Sequence, residues 1–153
     1  MIKTGIVSVT FREFNVDKII RLVKSAGLGG IEWGGDIHVP HGDIEKAKTV
    51  RKKTLEAGLE IAGYGSYYRV GCENEVGFED VLDTAEALGA PVIRVWAGNK
   101  GTDKADEDWW DKIIKKSQEI ALMAHKRDID ISYEYHRNTL TDSSKSTLRL
   151  LEE

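Results

Sequence analysis

One local pattern occurs three times along the chain at a constant interval. It consists of the end of an amphipathic stretch, a glycine, a short gap and an aliphatic run. The glycines, Gly27, Gly58 and Gly89, are each 31 residues apart, and a fourth copy has Asp128 at the glycine position. A glycine just after a helix supplies the left-handed residue that ends it, so the chain turns directly into a strand. The pattern therefore predicts repeated helix-to-strand junctions.

Amphipathic helices are predicted between these junctions. Asn15 and Asp43 are placed to cap the first two, and a fifth is predicted to begin after Thr141 or Asp142. The apolar positions, which recur with a period near 3.6, are Val16, Ile19, Ile20, Val23 and Ala26; Ile44, Ala47, Val50 and Leu55; Phe78, Val81, Leu82, Ala85 and Leu88; Trp110, Ile113, Ile114, Ile120 and Ala124; and Leu148 and Leu151. Strands separated by single helices imply right-handed crossovers and a parallel sheet.

Two parallel architectures compete, and the turn after the first strand separates them. A doubly wound dinucleotide-binding sheet should have a glycine-rich turn there, whereas residues 10–15 contain no glycine. In a strand, Arg94 and Trp96 share one face and Ile93 and Val95 the other. One ionisable face opposite an apolar face is typical of a barrel with its site at the carboxyl ends of the strands. We therefore predict an α/β fold, a partial TIM barrel of about five parallel strand–helix units.

Size and charge narrow the possible functions. A chain of 153 residues fits one domain, and its net charge of -4 disfavours a broad nucleic-acid footprint. No apolar run approaches the roughly 20 residues that cross a bilayer, so no membrane role is expected. Cys72 is the only cysteine, which excludes an intrachain disulfide and fits a reducing compartment. We expect a cytoplasmic protein, with Cys72 as a free thiol.

Glu134 and His136 are the strongest candidates for chemistry. Alternation places them on one strand face with Cα atoms roughly 6.6 Å apart. Both side chains could reach one divalent ion, or one could bind metal while the other contacts substrate. Taken alone, the motif is explained better by a hydrogen-bonded glutamate and a solvated histidine. Its position at a strand end, where other ionisable groups are predicted to converge, favours the functional interpretation.

Glu32 stands at the end of the second predicted strand, and four cations stand at or just after the ends of predicted strands. Glu32 should have a cationic, metal or substrate partner, and an ion pair with Arg94 is as plausible as a direct substrate role. Arg69, Arg94, Lys100 and Arg137 could hold a phosphate or carboxylate, or could be ordinary loop charges. We expect Glu32, Arg94, Trp96, Glu134 and His136 to converge at the carboxyl ends of the strands.

Aromatic residues and two loop histidines complete the candidates. Tyr64 and Trp96 offer flat faces that suit the C–H face of a sugar, whereas Trp33, by its parity, should pack against a helix. One of His38 and His41 is expected to reach the site, and His38 is our candidate. The other should cap a helix or face solvent.

Three segments together resemble the sugar phosphate isomerase/epimerase family of the xylose isomerase-like TIM barrel superfamily, which also includes endonuclease IV-type enzymes. They are Gly30–His41, Ile93–Gly98 and Ser132–Asp142. The resemblance covers the whole chain and implies that residues 1–153 are a single N-terminal portion of such a barrel, with the C-terminal units absent. By resemblance, Glu134 is a metal ligand and a catalytic residue that shares proton transfer with a carboxylate outside these residues. Glu32, from its position at a strand end, is our second catalytic candidate. The substrate contacts so implied or expected are Arg94, Trp96, His136, His38, Tyr64 and Arg69.

The resemblance implies an isomerase or epimerase of a sugar or sugar phosphate. A divalent ion (Mn, Mg, Co or Zn) would polarise a carbonyl or hydroxyl while a carboxylate moves a proton. The remaining metal ligands come from strands beyond the five units, so we expect weak metal binding and no activity from these residues alone. We also expect a homodimer that packs open edges or open inner faces together. The alternatives are a non-catalytic oligomerising partial barrel and, less favoured by charge, an endonuclease IV-like nuclease.

Overall fold

The computed structural model describes residues 2–153, in which strands and helices alternate. The strands are β1 (Gly5–Val7), β2 (Gly30–Gly34), β3 (Glu60–Arg69), β4 (Val92–Trp96) and β5 (Asp130–Tyr133). The helices are α1 (Val16–Ser25), α2 (Ile44–Glu56), α3 (Phe78–Leu88), α4 (Glu107–His125) and α5 (Ser144–Glu152), with one 3-10 turn (Ser8–Phe11) after β1. Over residues 2–153 none of these helices combines the length and the apolar character that a membrane span needs.

The five strands form one parallel sheet in the order β1-β2-β3-β4-β5. Gly5 lies opposite Gly30 in the β1–β2 pair, and Trp33 lies opposite Tyr64 in the β2–β3 pair. The β2–β3 register shifts once, between Ile31 and Glu32. Each strand pairs with the next one along the chain, as in a barrel. The prediction of a partial TIM barrel with five parallel strands is confirmed.

The helix-to-strand junctions adopt the predicted backbone. Gly27, Gly58 and Gly89 have positive φ angles of 71°, 77° and 74°. Asp128, which takes the glycine position in the fourth copy, has a φ of 55°. Aspartate tolerates this left-handed conformation better than most side chains do, so the junction keeps its geometry without glycine.

The predicted caps are in place at the first two helices and shifted at the last. The Asn15 side chain accepts a hydrogen bond from the backbone N–H of Lys18, and Asp43 accepts one from Lys46. Helix α5 is capped by Ser143 instead of Thr141 or Asp142. The Ser143 side chain accepts from the N–H of Ser146, and the Ser146 side chain accepts in return from the N–H of Ser143. This reciprocal capping box sets the start of α5 at Ser144.

Three leucines that were predicted to lie on buried helix faces are exposed, one on α2 and two on α5. On α2 the buried face includes Thr54, whereas Leu55 is 50% exposed. One residue corresponds to about 100° of rotation on a helix, so Leu55 is turned away from the face that Thr54 shares with Val50. On α5, Leu150 is buried, whereas Leu148 and Leu151 are 59% and 66% exposed.

The chain divides into two compact units. The first consists of Met1–Ser66 and Val76–Ile93, and the second of Tyr67–Glu75 and Arg94–Glu153. In the first unit, Trp33 is fully buried and its indole N–H donates to the Thr54 hydroxyl of α2 at 3.2 Å. The prediction that Trp33 packs against a helix is confirmed. In the second unit, α4 packs on β5.

Candidate active site

The second unit brings Glu134 together with two side chains of β4. The Arg94 guanidinium (Nη1) and the Trp96 indole N–H both donate to the same oxygen of Glu134, Oε2. The side chains of Arg94 and Glu134 are only 17% and 30% exposed. A partly buried ion pair is screened less by water and salt than a surface pair. The Glu134 carboxylate is therefore held in one place by two directional donors.

Backbone hydrogen bonds fix this arrangement. On β4, Ile93 and Val95 are fully buried, and Arg94 and Trp96 lie on the opposite face because strand side chains alternate. Strand β5 ends at Tyr133, so Glu134 is the first residue after it. The Glu134 N–H nevertheless donates to the Val95 carbonyl at 3.0 Å. This bond keeps Glu134 in register with β4.

The Trp96 ring is the centre of a stack of aromatic and cationic groups. The His136 imidazole is stacked on it, with ring centroids 4.5 Å apart and planes 23° apart. The Arg69 guanidinium lies 3.9 Å from the ring centroid, and Tyr67 contacts the indole edge-on at 5.5 Å. Guanidinium and indole attract each other through the ring quadrupole. Arg69, Trp96 and His136, named separately from the sequence, thus form one group.

Hydrogen bonding fixes which nitrogen of His136 carries a proton. Nδ1 lies 2.6 Å from the backbone carbonyl oxygen of Arg137. A carbonyl oxygen only accepts, so Nδ1 must be the donor, and in the neutral ring Nε2 presents its lone pair. His136 is therefore oriented to accept a hydrogen bond or a proton, or to ligate a cation, through Nε2.

Two residues beside this group have left-handed backbone angles that are uncommon outside glycine. Tyr67 has a φ of 58° and Asn138 a φ of 60°. Asparagine tolerates this region, whereas a tyrosine there is strained, and such strain is concentrated at functional sites. The Arg94 guanidinium also lies 5.5 Å from the Tyr67 ring centroid. Backbone strain at Tyr67 has no signal in the sequence.

Sequence reasoning missed two residues that hold the loops of the second unit. The Asn74 side chain accepts from the Arg69 N–H and donates to the Arg69 carbonyl, both at 2.9 Å. Asp142 accepts from the N–H of Thr102 at 2.9 Å and from its hydroxyl. Partial burial tends to raise the pKa of Asp142, but hydrogen bonds from Thr102 and Ser146 outweigh this effect and lower it. An asparagine a few residues after a strand end is the only clue that the sequence offers for Asn74.

The first unit contains the other predicted site residues. Glu32 lies on β2, half-buried and opposite Gly63 of β3. His38 is buried, and both of its ring nitrogens are hydrogen-bonded. Nε2 donates to the Phe14 carbonyl at 3.2 Å, and Nδ1 accepts from the Ser8 hydroxyl at 2.9 Å. Because burial disfavours its charged form, the pKa of His38 is lowered. The substrate roles of Glu32 and His38 stay predictions.

Tyr64 and His41 form a second buried pair in the first unit. The Tyr64 side chain is fully buried, and its hydroxyl lies 2.8 Å from the Val39 carbonyl and 2.7 Å from His41 Nδ1. His41 Nε2 donates to the Ser66 carbonyl at 3.0 Å. Burial raises the pKa of Tyr64 strongly, so its hydroxyl stays protonated. His41, expected to cap a helix or face solvent, instead supports Tyr64.

The residues present do not complete a divalent-metal site. Within residues 2–153 no group of three or more His, Cys, Asp or Glu side chains is arranged to hold an ion. A catalytic metal usually has about three protein ligands, whereas Glu134 and His136 supply two at most. The Arg94 guanidinium already neutralises the Glu134 carboxylate, which weakens it as a ligand. The assignment of Glu134 as a metal ligand stays a prediction.

Residues 20–153 match the model of a protein family described as xylose isomerase-like TIM barrel. Since the match covers most of the chain, the chain belongs to this family. It is 24% identical over 164 aligned residues to a 3-dehydroshikimate dehydratase of Bacillus anthracis, covering 99% of the chain and 57% of that protein.

Solved structures share the same fold. The probable 3-DHS dehydratase of Bacillus anthracis superposes with a TM-score of 0.83 at 23% identity, covering 99% of the chain and 58% of that protein. A D-psicose 3-epimerase superposes with a TM-score of 0.74 at 16% identity, covering 99% and 59%. The chain thus spans less than two thirds of the length of these relatives. At such identities the likeness establishes the fold alone.

Proposed function

We propose that the chain forms part of an isomerase or epimerase that moves a proton at the carbon next to a carbonyl in a sugar or sugar phosphate. The observation that carries this proposal is the group formed by Glu134, Arg94, Trp96 and His136. It joins a fixed carboxylate, an imidazole with a free lone pair and a flat aromatic face. Proton transfer beside a carbonyl needs a positioned base and donors for the developing oxyanion.

Each residue has a proposed role in this reaction. Glu134 moves the proton, and Arg94 and Trp96 hold its carboxylate in place. Glu32 stays the second predicted catalytic residue. The Trp96 ring packs against the C–H face of the sugar, and His136 accepts a hydrogen bond from a hydroxyl through Nε2. Arg69, His38 and Tyr64 are the further proposed substrate contacts.

A divalent ion (Mn, Mg, Co or Zn) is expected by resemblance, and such an ion would supply Lewis-acid polarisation of the substrate oxygen. Glu134 is the ligand that this chain would contribute. Because the described residues do not complete that site, the roles above are limited to substrate binding and proton transfer by the chain's own side chains.

Dehydration is a second candidate, favoured by the match along 99% of the chain to a 3-dehydroshikimate dehydratase. Loss of water from a hydroxy ketone also begins with removal of a proton next to the carbonyl. The carbanion then expels the neighbouring hydroxyl, which leaves as water after it takes up a proton. Both candidates therefore need the same first step, and they differ in whether a hydroxyl leaves.

Ligand binding to the 153-residue chain tests the proposal. In a ¹⁵N spectrum, the Trp96 indole N–H should shift when a ketose or ketose phosphate is added, because this group donates to Glu134. The Trp33 indole N–H, bonded to Thr54 in the first unit, is the internal control and should not move. Binding should be weakened by Glu134→Gln. If only 3-dehydroshikimate shifts the Trp96 signal, the dehydratase candidate replaces the first. If no sugar, sugar phosphate or hydroxy ketone shifts it, the proposed function is wrong.

A further inference from the structure

A cavity of about 450 Å³ lies in the second unit, between the loops that follow β3, β4 and β5. Its lining includes four cationic side chains and one imidazole: Arg69, Lys100, Lys104, Arg137 and His136. The amides of Asn99 and Asn138 also line it, and among its lining residues there is no aspartate or glutamate. The whole chain carries a net charge of -4, so this basic loop pocket reverses the overall charge locally.

Two of the four cations of the basic loop pocket are positioned by other residues. Arg69 is stacked on Trp96 at 3.9 Å, and its backbone is bonded on both sides to Asn74. The Lys100 ammonium lies 4.5 Å from the ring centroid of Trp109. A guanidinium that is already ordered loses less conformational entropy when it binds an anion.

Hydrogen bonds also hold the loops that form the pocket walls. Asp142 binds both the N–H and the hydroxyl of Thr102, which closes the loop after β4. The Thr139 hydroxyl donates to the His136 carbonyl at 2.6 Å, and the Leu140 N–H donates to the Ala97 carbonyl at 3.0 Å. These bonds fix the loop after β5, which carries His136, Arg137 and Asn138. The pocket is therefore largely preformed.

The composition of the pocket indicates which anion it fits. A neutral sugar has no need of four cations, and a single carboxylate carries one negative charge and two oxygens. A phosphate monoester carries close to two negative charges near neutral pH and has three terminal oxygens. Arginine binds such a group through two parallel hydrogen bonds, and lysine adds a mobile point charge. Two arginines and two lysines match a phosphate monoester best.

We propose that the basic loop pocket is a phosphate subsite and that the substrate is a sugar phosphate instead of a free sugar. The inference deepens the proposed function and rests on it. His136 lines the pocket and is stacked on Trp96, which donates to Glu134. A phosphate held by Arg137 and Lys100 therefore leaves the sugar carbons beside the Trp96 ring and the Glu134 carboxylate. The pocket fixes the substrate at one end while proton transfer takes place at the other.

Comparison of a phosphorylated sugar with its unphosphorylated form tests the subsite on the unmodified chain. D-Fructose 6-phosphate should bind about tenfold or more tightly than D-fructose, since charge-assisted hydrogen bonds are worth about this factor each. The difference should shrink as salt is raised. Arg137→Gln and Lys100→Gln should each weaken binding of the phosphate ester and of inorganic phosphate while leaving D-fructose unchanged. Lys115→Gln, an exposed lysine of α4 outside the pocket lining, is the matched control and should change neither.

Several outcomes would overturn the phosphate assignment. One is equal affinity for the ester and the free sugar, and another is equal affinity of the pocket variants and the control variant for phosphate. Tighter binding of shikimate than of the ester would assign the pocket to a carboxylate. Tighter binding of a short duplex oligonucleotide would assign it to nucleic acid.

The proposed function and the subsite fail in distinguishable ways. If the pocket variants bind inorganic phosphate more weakly but no sugar shifts the Trp96 signal, the subsite is supported and the sugar reaction is wrong. If free and phosphorylated ketoses shift that signal equally, the sugar reaction is supported and the subsite is wrong.

Discussion

Arg94 and Glu134 form an ion pair between β4 and the first residue after β5, and Trp96 donates to the same carboxylate oxygen. The pair sets both the position and the charge of the residue that we consider central to the chemistry. A carboxylate bonded to a guanidinium and an indole is oriented before any substrate arrives, which is the condition for efficient proton transfer.

A double-mutant cycle should measure this pairing. Arg94→Gln or Glu134→Gln alone should cost roughly 1–3 kcal/mol of unfolding free energy, between the values for exposed and fully buried pairs. The double variant should cost less than the sum, because the interaction between the two side chains is then lost only once. Urea denaturation of the four proteins gives the coupling energy. Additive losses would mean that the two side chains are not coupled.

Changing Arg94 should lower stability but raise the affinity of the chain for a divalent metal ion. The unmodified chain should bind Mn²⁺, Co²⁺ or Zn²⁺ weakly, since Glu134 is neutralised and the described residues supply two ligands at most. Arg94→Gln frees the carboxylate and should strengthen binding, whereas adding Glu134→Gln should abolish the gain. Calorimetric titration at micromolar protein concentration measures both effects. A tight stoichiometric site in the unmodified chain would contradict this account.

The fold was more predictable than the site, because single residues specify the backbone angles at the helix-to-strand junctions. The glycines at 27, 58 and 89, and Asp128 in the fourth copy, specify backbone angles that only a few residues adopt. The contacts of Arg94 depend instead on which strands are neighbours and where β5 ends. The ion pair of Arg94 with Glu134 joins β4 to the residue after β5, and it was not predicted from the sequence. An interaction of Arg94 with Glu32 stays a prediction.

Other parts of the site depend on loop conformation, which has no periodic signal. Lys104 lines the basic loop pocket, and no feature of the sequence singles it out. Asp142 ends the segment Ser132–Asp142, which resembles the family, yet it contacts Thr102, 40 positions away. Such pairings across loops follow from the folded chain and not from local composition.

The free energy of unfolding should decrease at acidic pH because of His38. In the unfolded chain the histidine takes up a proton as the pH drops below about 6.5, whereas in the folded chain burial lowers its pKa. The unfolded state then binds more protons, so the free energy of unfolding should decrease as pH falls from about 6.5 toward the lower folded value. Above that range the contribution of His38 is fully present.

NMR titration of His38 together with denaturation at several pH values checks this expectation. The Asp36 carboxylate opposes the shift and the Arg12 guanidinium adds to it. The control is His125→Gln, at an exposed histidine near the end of α4. This variant should keep the acid sensitivity that His38 causes. A His38 pKa at or above its usual value would contradict the burial argument.

Removing the Tyr64 hydroxyl should destabilise the chain. Tyr64→Phe removes the buried hydroxyl that donates to the Val39 carbonyl and lies within hydrogen-bond distance of His41 Nδ1, and losing such a partner typically costs about 1–3 kcal/mol. Tyr133→Phe is the matched control, because the Ser117 hydroxyl that it frees still donates to the Ile113 carbonyl at 2.7 Å. Its cost should stay below about 1 kcal/mol. Equal losses in thermal or urea unfolding would show that the Tyr64 network contributes little.

The last prediction concerns self-association, and it follows from the edge of the sheet at β5. This strand comes last in the strand order, so its outer edge offers backbone groups that favour pairing with another strand. A cavity of about 420 Å³ beside it is lined by residues of α4, β5 and α5, including Tyr133 and Leu151. Leu151 is 66% exposed there, and Leu148 of the same helix is 59% exposed, which adds apolar surface that association would bury.

We therefore expect the 153-residue chain to form a dimer at micromolar concentration through β5 and α5. Leu151→Asp places a charge in this surface and should shift the equilibrium toward the monomer, because burial of an unpaired carboxylate is costly. Leu55→Asp, at a leucine of α2 that is 50% exposed, adds the same charge elsewhere and should leave the dimer intact. Sedimentation velocity over a range of concentrations separates the two variants. A monomer at every concentration, with a single cooperative melting transition, would show that the β5 edge does not drive association.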